Sequence, residues 1–380
     1  MKILAIDTSC DETAVAVTEG QVIASNVIWS QASLHADFGG VMPSLAQRQH
    51  EERIDWVVNR ALRQAQCRPV DLGAVAVTAG PGLGIALGVG IAKAKELAKK
   101  WNKPLIAVNH IEGHVLGVLA ETNSKSQVAR SNITLPCMAL VVSGGHTELI
   151  LVEQIGRYKI IARTRDDALG EALDKAARML ALGYPGGAIL EKMAKTGNAK
   201  TYPLPLPMAR REDEKAFSYS GLKTAFWRMT DKKHFSKQEI ADLAASFQNR
   251  AFEHLTRISR RVMADYPTAD LLVGGGVAAN MELRKRLRSL GKEMGVKMHF
   301  PYSLKLCGDN AAMIGVAAGF KAQRGEFSNP DKIDRLPRWR VDEAMSGILW
   351  YNLPVMIRPV TGPFGKLRAA EGRREERSKA

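Results

Sequence analysis

One pattern of apolar and polar positions occurs twice along the chain. Ile3 to Ile6 is a continuous apolar run, Asp7-Thr8-Ser9-Cys10-Asp11-Glu12 is a tight polar turn, and Thr13 to Val17 returns as an alternating segment. Met138 to Val142, Ser143-Gly144-Gly145-His146 and Thr147 to Val152 repeat the plan. Apolar runs of strand length on either side of a turn of small and polar residues mark a hairpin, so the sequence predicts two related hairpins heading two related lobes. Each turn offers backbone N–H groups and small hydroxyls, and Gly144-Gly145 lets the backbone approach a ligand closely, as a phosphate held between the turns would require. Taken singly, each is an ordinary hairpin.

Three further segments extend the pattern. Gly80-Pro81-Gly82-Leu83-Gly84 reads as a turn opening a helix that runs to about Trp101, with Pro81 near its first turn. Pro104 to Val108 reads as a buried strand that ends where a helix begins. Asp270 to Val273 is another buried strand, running through Gly274-Gly275-Gly276 into a turn and a helix. Two phosphate hairpins followed by a glycine-rich turn is the order of the actin-like, sugar-kinase-like and Hsp70-like ATPases (the ASKHA fold). The alternatives fail on spacing, since neither GxxxxGK[ST] nor GxGxxG is present. The expectation is a two-lobed α/β protein with a nucleotide cleft between the lobes. The first lobe is placed at about 1–130 with a returning helix at about 308–343, the second at 131–307, and a basic tail at 344–380.

Composition changes the setting more than the fold. A chain of 380 residues is long enough for two domains. With no apolar leader and no run of 18 apolar residues, the sequence predicts a cytoplasmic protein without a membrane span. Cys10, Cys67, Cys137 and Cys307 are scattered without CxxC pairing, which argues against a disulfide framework or a cysteine zinc site. The net charge of +15, with arginine-rich stretches at Arg257 to Arg261 and Arg284 to Arg288, suits a polyanionic partner or a merely soluble basic surface. From Arg358 onward, seven Arg and Lys stand against three Glu, as in an RNA-touching arm or a solvated extension.

The candidate chemistry centres on His110 and His114. Four residues apart at the start of a helix, the two imidazoles share one face, which is a metal clamp or simply a pair of histidines on a buried helix. Two imidazoles leave an ion undercoordinated, so a third ligand is needed. Asp309, in Cys307-Gly308-Asp309-Asn310, sits at or near the N-cap of a helix of small apolar residues. Together the three would give two-His-one-carboxylate ligation. The spacing also invites comparison with the HExxH of zinc proteases, but there the glutamate directly follows the first histidine. Glu112 lies two residues on, about 200° around a helix of about 100° per residue, and should point away from a metal.

The ordered segments Ile6-Asp7-Thr8-Ser9-Cys10-Asp11-Glu12-Thr13, Gly39-Gly40-Val41-Met42-Pro43, His110-Ile111-Glu112-Gly113-His114, Val142-Ser143-Gly144-Gly145-His146-Thr147, Tyr184-Pro185-Gly186-Gly187, Phe217-Ser218-Tyr219-Ser220-Gly221-Leu222-Lys223-Thr224 and Gly274 to Asn280 resemble the signatures of the TsaD (Gcp) family in its bacterial form. The resemblance runs from Lys2 to about Glu343. It implies a tRNA N6-adenosine threonylcarbamoyltransferase, which moves the threonylcarbamoyl group from threonylcarbamoyl-adenylate (threonylcarbamoyl-AMP) to the adenosine 3′ of the anticodon in tRNAs reading codons that begin with A. By motif it implies a divalent metal, ferrous iron (Fe2+) with zinc (Zn2+) as the alternative, on His110, His114 and Asp309. It places the adenylate against Val141, Val142, Ser143, Gly144, Gly145, Asp174, Gly187 and Asn280, with Asp174 accepting from ribose hydroxyls and Asp11 and Glu12 at the reacting centre. It implies tRNA, TsaB-like and TsaE-like accessory subunits and a separate threonylcarbamoyl-AMP synthase as partners. Lys223 is a candidate for a tRNA phosphate or the adenylate, or a solvated loop lysine; His35 and His146 read as structural. The competing functions are a metalloendopeptidase and a chaperone-like or sugar-kinase-like ATPase module.

Overall fold

The computed structural model describes residues 1–121, 133–209, 214–231 and 234–343, with the backbone of 350–351. The first lobe opens with β1 (Lys2–Asp7), β2 (Glu12–Glu19) and β3 (Val22–Ser30), joined antiparallel. Then follow α1 (Ala32–Ala36), α2 (Pro43–Gln64), β4 (Leu72–Gly80), α3 (Gly84–Trp101), β5 (Leu105–Asn109) and α4 (His110–Leu116), with β4 parallel to β1 and β5 parallel to β4. The second lobe repeats this order. It carries β6 (Cys137–Val142), β7 (Thr147–Gln154), β8 (Arg157–Arg163), α5 (Leu169–Met179), α6 (Gly187–Ala194), α7 (Ser220–Thr230), α8 (Lys237–Asp265), β9 (Asp270–Gly274), α9 (Met281–Met294) and β10 (Lys297–His299). After it come α10 (Ala311–Gln323), β11 (Phe327–Ser328) and β12 (Trp350–Tyr351).

Both sheets are ordered alike, β3-β2-β1-β4-β5 and β8-β7-β6-β9-β10, with β11 and β12 added beyond β5. The repeated hairpins are therefore the heads of two repeated sheets. Side-chain alternation distributes their faces. Leu4, Ile6, Val15 and Val17 pack outward on α2 and α3, while Ile3, Ala5, Ala14 and Ala16 pack inward. In the second sheet Met138, Leu140 and Val142 join the large core of α5 to α9, and Cys137, Ala139 and Val141 face inward. Between the sheets lie α4 and α10, buried from both sides. The latter shows no polar face because none is exposed: Ala311 to Ala322 are all buried.

Small residues make this central layer thin. A Cβ on Gly117 would lie 2.7 Å from Cβ of Met313, and one on Gly274 would lie 2.4 Å from the carbonyl oxygen of His114. The second neighbour is backbone and cannot swing aside. Gly274→Ala is therefore expected to destabilise the protein by about 1–3 kcal/mol and to push the His114 turn of α4 out of place. Calorimetric melting together with metal content would check it; an unchanged midpoint and full metal loading would contradict the packing.

Some expectations are corrected. Pro81 is not in the first turn of α3, which starts at Gly84, because the amides of Gly82 and Leu83 are drawn instead to the carbonyls of Pro337 and Ser9. Part of the charge in the arginine-rich stretches is engaged within the fold, while Lys285 and Arg288 remain exposed. Arg257 donates to the carbonyl of Pro207, Arg260 pairs with Glu293, Arg286 bonds Glu282 and Asn249, and Arg284 is buried, donating to the carbonyl of Ala278 with Phe300 beneath it. No helix among the described residues is long and apolar enough to cross a membrane. The basic tail, apart from β12, lies outside the described residues.

Candidate active site

The first functional helix is positioned by Asn109, the last residue of β5. Its side-chain oxygen accepts from the amides of Ile111 (2.9 Å) and Glu112 (3.2 Å), capping α4 and fixing its direction at the carboxyl end of the strand. One turn apart, the rings of His110 and His114 meet edge to face with centroids 4.6 Å apart. Asp309 is freed for them because it does not cap α10: Asn310 does, accepting from the amide of Met313 at 3.1 Å. The aspartate Oδ1 lies 3.5 Å from His110 Nε2 and 3.2 Å from His114 Nε2. One atom from each of the three residues falls within 4.8 Å of the others.

This cluster is short of hydrogen bonds. His114 Nε2, His110 Nδ1 and Asp7 Oδ2 are buried without a hydrogen-bond partner, a costly state for polar atoms. Burial disfavours charge throughout, yet the Asp309 carboxylate, with Asp7 behind it, lifts His110 to about 9. Burial, together with the His110 charge, lowers His114, and despite burial the two imidazoles hold Asp309 well below the usual carboxylate range. Burial raises Asp7, whose Oδ1 stands 3.9 Å from His110 Nδ1. Two imidazoles, an ionised carboxylate and an unsatisfied Nε2 fit a divalent cation, with Asp7 behind His110 as an orienting group.

A cavity of about 760 Å³ opens from this cluster between the lobes. His110 and Asp309 form part of its floor, Ser143, Gly144 and Gly145 one wall, and Asp174, Lys175 and Arg178 of α5 another. Open space surrounds the positions where Cβ atoms of Gly144 and Gly145 would stand.

The family model described as "TsaD: tRNA N6-adenosine threonylcarbamoyltransferase" matches residues 22–316. The chain belongs to the TsaD family. The tRNA N6-adenosine threonylcarbamoyltransferase of Thermosynechococcus vestitus is 44% identical over 337 residues, covering 87% of this chain and 93% of that protein. The protein of the same description from Bartonella henselae is 42% identical over 369 residues, covering 92% and 98%. Among solved structures, T. kodakarensis HypF aligns with a TM-score of 0.54 at 13% identity, over 85% of this chain and 48% of that one. Full-length HypF in a phosphate- and nucleotide-bound form aligns with a TM-score of 0.52 at 13% identity, over 84% and 46%. The likeness establishes the fold alone, and the fold is the expected ASKHA one.

The other residues that the TsaD resemblance singles out stand in three settings. Val141 and Val142 are buried in β6 behind the glycine turn. Asp174 Oδ1 accepts from the amides of Gly186 (2.9 Å) and Gly187 (2.7 Å), so that it clamps the turn before α6, and burial raises its carboxyl. Asn280 is buried: its oxygen caps α9 through Glu282 and Leu283, and its nitrogen donates to Gln248. Asp11 is buried in the first turn, and Glu12 accepts from Ser30 Oγ at 3.4 Å. Burial, then the charges of Asp11 and Asp309, raise Glu12 well above the usual carboxylate range.

Lys223 is not a loose loop lysine. Its Nζ lies 2.5 Å from Asp167, which also holds Lys175 at 2.7 Å. His35 is structural, bonded to Gln31 and to the amide of Met42, whereas His146 lines the cavity with its ring 6.4 Å from that of His110. Sequence reasoning missed Lys175 and Arg178. The latter donates to the carbonyl of Gly39 at 3.1 Å, tying the second lobe to the Gly39 to Pro43 segment of the first. The signal was present, since Glu171, Asp174, Lys175 and Arg178 follow the i, i+3, i+4, i+7 spacing of a single helix face.

Glu112 points away from the cluster of His110, His114 and Asp309, as its spacing predicted. It accepts from Tyr158 Oη at 3.0 Å, with Lys321 Nζ at 4.0 Å and Arg324 at 3.9 Å. Glu112→Gln should therefore leave metal stoichiometry at the wild-type value and change activity by less than about tenfold, because the hydrogen bond from Tyr158 survives. Elemental analysis decides this: loss of metal would revive the protease geometry.

Proposed function

We propose that this TsaD protein transfers the threonylcarbamoyl group from threonylcarbamoyl-adenylate to N6 of the adenosine 3′ of the anticodon, in tRNAs reading codons that begin with A. The observation that carries this reading is the single cavity joining the His110 and Asp309 floor to the open Gly144-Gly145 turn. A metal cluster alone would suit a hydrolase, and a glycine cleft alone a kinase-like module. Their junction suits an acyl group carried on a nucleotide.

In this reading Ser143, Gly144 and Gly145 present the backbone to the adenylate phosphate, with Val141 and Val142 as the rigid strand behind them. The free oxygen of Asp174 accepts from ribose hydroxyls while its other oxygen stays on the amides of Gly186 and Gly187. Asn280, through its cap of α9, fixes the glycine-rich turn of the second lobe beside the adenosine. Held by His110, His114 and Asp309, a divalent ion, ferrous iron or zinc, would supply Lewis-acid polarisation of the carbonyl under attack. Asp11 and Glu12 border the reacting centre. The mixed anhydride is already activated, so alignment and a place for developing charge supply the rest.

The lobes are assigned to 1–130 with 308–343 and to 131–307, and the protein to the cytoplasm. The partners are tRNA, TsaB-like and TsaE-like subunits and a threonylcarbamoyl-AMP synthase. Chelation provides the test. Metal-stripped protein should lose transfer yet still retain tRNA on a filter, with retention falling steeply as salt rises, because phosphate contacts are independent of the metal centre. Full transfer by metal-free protein would contradict the reading.

A further inference from the structure

Gly145 and His146 separate the large cavity from a second one of about 440 Å³, lined also by Glu148, Arg163 and Arg165. Glu148 on β7 and Arg163 on β8 are directly paired across the antiparallel ladder, so their side chains stand on one face of the sheet. Glu148 Oε2 is buried without a hydrogen-bond partner. Burial pushes this carboxyl up to about 7, with the Arg163 charge acting the other way. Arg165 is already paired with Glu214, and the nearby Arg340 with Asp342. Arg163 is exposed, and no hydrogen bond or ion pair of its side chain is found among the described residues. The second cavity is thus lined by a half-buried carboxylate, one oxygen of which lacks a hydrogen-bond partner, beside an available donor, one loop away from the proposed reacting centre.

A tRNA that reads a codon beginning with A carries uridine at the last anticodon position, directly 5′ of the modified adenosine. In a single-stranded loop such a base can be splayed out and read on its Watson–Crick edge. Uracil offers there a carbonyl acceptor beside the N3–H donor, whereas cytosine offers an amino donor beside the N3 acceptor. We propose that Glu148 and Arg163 form the pocket that reads this uridine, Glu148 accepting from N3–H and Arg163 donating to the neighbouring carbonyl oxygen. Cytosine in the same position would set donor against donor and acceptor against acceptor. The assignment rests on the transferase reading and goes beyond it by naming the residues that select the tRNA.

The experiment compares kcat/KM for transfer to two tRNAs that differ only in this nucleotide, uridine or cytidine, using the wild type, Glu148→Gln and Arg163→Ala with the accessory subunits. The wild type should prefer uridine by at least about tenfold. Glu148→Gln, whose amide can also donate to cytosine N3, should lose most of that preference, and Arg163→Ala should lose it chiefly through the uridine substrate. Metal content and melting temperature should match the wild type in both. A preference unchanged in both variants, or no wild-type preference, overturns the pocket and leaves the transferase reading intact. No transfer by the wild type to the uridine-bearing tRNA overturns the transferase reading, and the pocket with it.

Discussion

His114→Ala and Asp309→Ala are each expected to lower metal affinity by more than about 100-fold and to reduce transfer to background. The magnitude follows from comparison with changes in groups that hydrogen-bond to metal ligands, which already cost about 10–100-fold in metal affinity or activity; removing a ligand outright from a set of three must exceed that. His114 and Asp309 contribute adjacent atoms to one point, 3.2 Å apart, so neither can be replaced by the other. Asp309 also balances two buried imidazoles, and its loss leaves His110 facing only Asp7 at 3.9 Å. Asp309→Asn separates charge from shape: it keeps the volume and should still lose most of the metal. Elemental analysis of the purified variants reads the effect, and wild-type stoichiometry in His114→Ala and Asp309→Ala would refute the ligand set.

Gly144→Val should be the second severe variant, and its signature is binding loss without unfolding. A Cβ there meets nothing within 4 Å, so the side chain projects into the cavity rather than into the protein. The melting temperature should stay within a few degrees of wild type, while the affinity for an adenine nucleotide falls by about 100-fold or more as the backbone amides are screened. Gly170→Ala makes the contrast. There the added carbon would lie 2.6 Å from the carbonyl oxygen of Ser143, so the damage should appear first in stability. Calorimetric titration alongside thermal melting separates the two; unchanged affinity in Gly144→Val would remove the adenylate from this turn.

Much of the fold could be read from the chain because its signals are local and repeated. The two hairpins at Asp7 to Glu12 and Ser143 to His146, the strand ending at Asn109 and the glycine turn after Val273 each announce themselves within a dozen residues. The pairing of His110 with His114 was legible for the same reason, since a four-residue spacing on a helix is geometry in itself. What escaped depends on distant neighbours. Nothing near Asp309 shows that Asn310 takes the cap, and nothing near Arg284 shows that Phe300 and the carbonyl of Ala278 will bury its charge. Pro81 looks like a helix starter until Pro337 and Ser9 claim the amides that follow it. The arginine stretches were legible only as charge. A charge counted along the sequence says nothing of the carboxylate or carbonyl that awaits it in the fold.

The proposed reaction joins one metal cluster and one nucleotide cavity in a single acyl transfer to tRNA. It is tested most directly by incubating the metal-loaded protein and its accessory subunits with threonylcarbamoyl-adenylate, labelled in the threonyl moiety, and an unmodified tRNA reading a codon that begins with A, followed by nucleoside mass spectrometry of the digested tRNA. A labelled N6-threonylcarbamoyladenosine is expected in the wild-type reaction and none with Asp309→Ala. Absence of the modified nucleoside with metal, partners and adenylate all present, or an equal yield from Asp309→Ala, would contradict it.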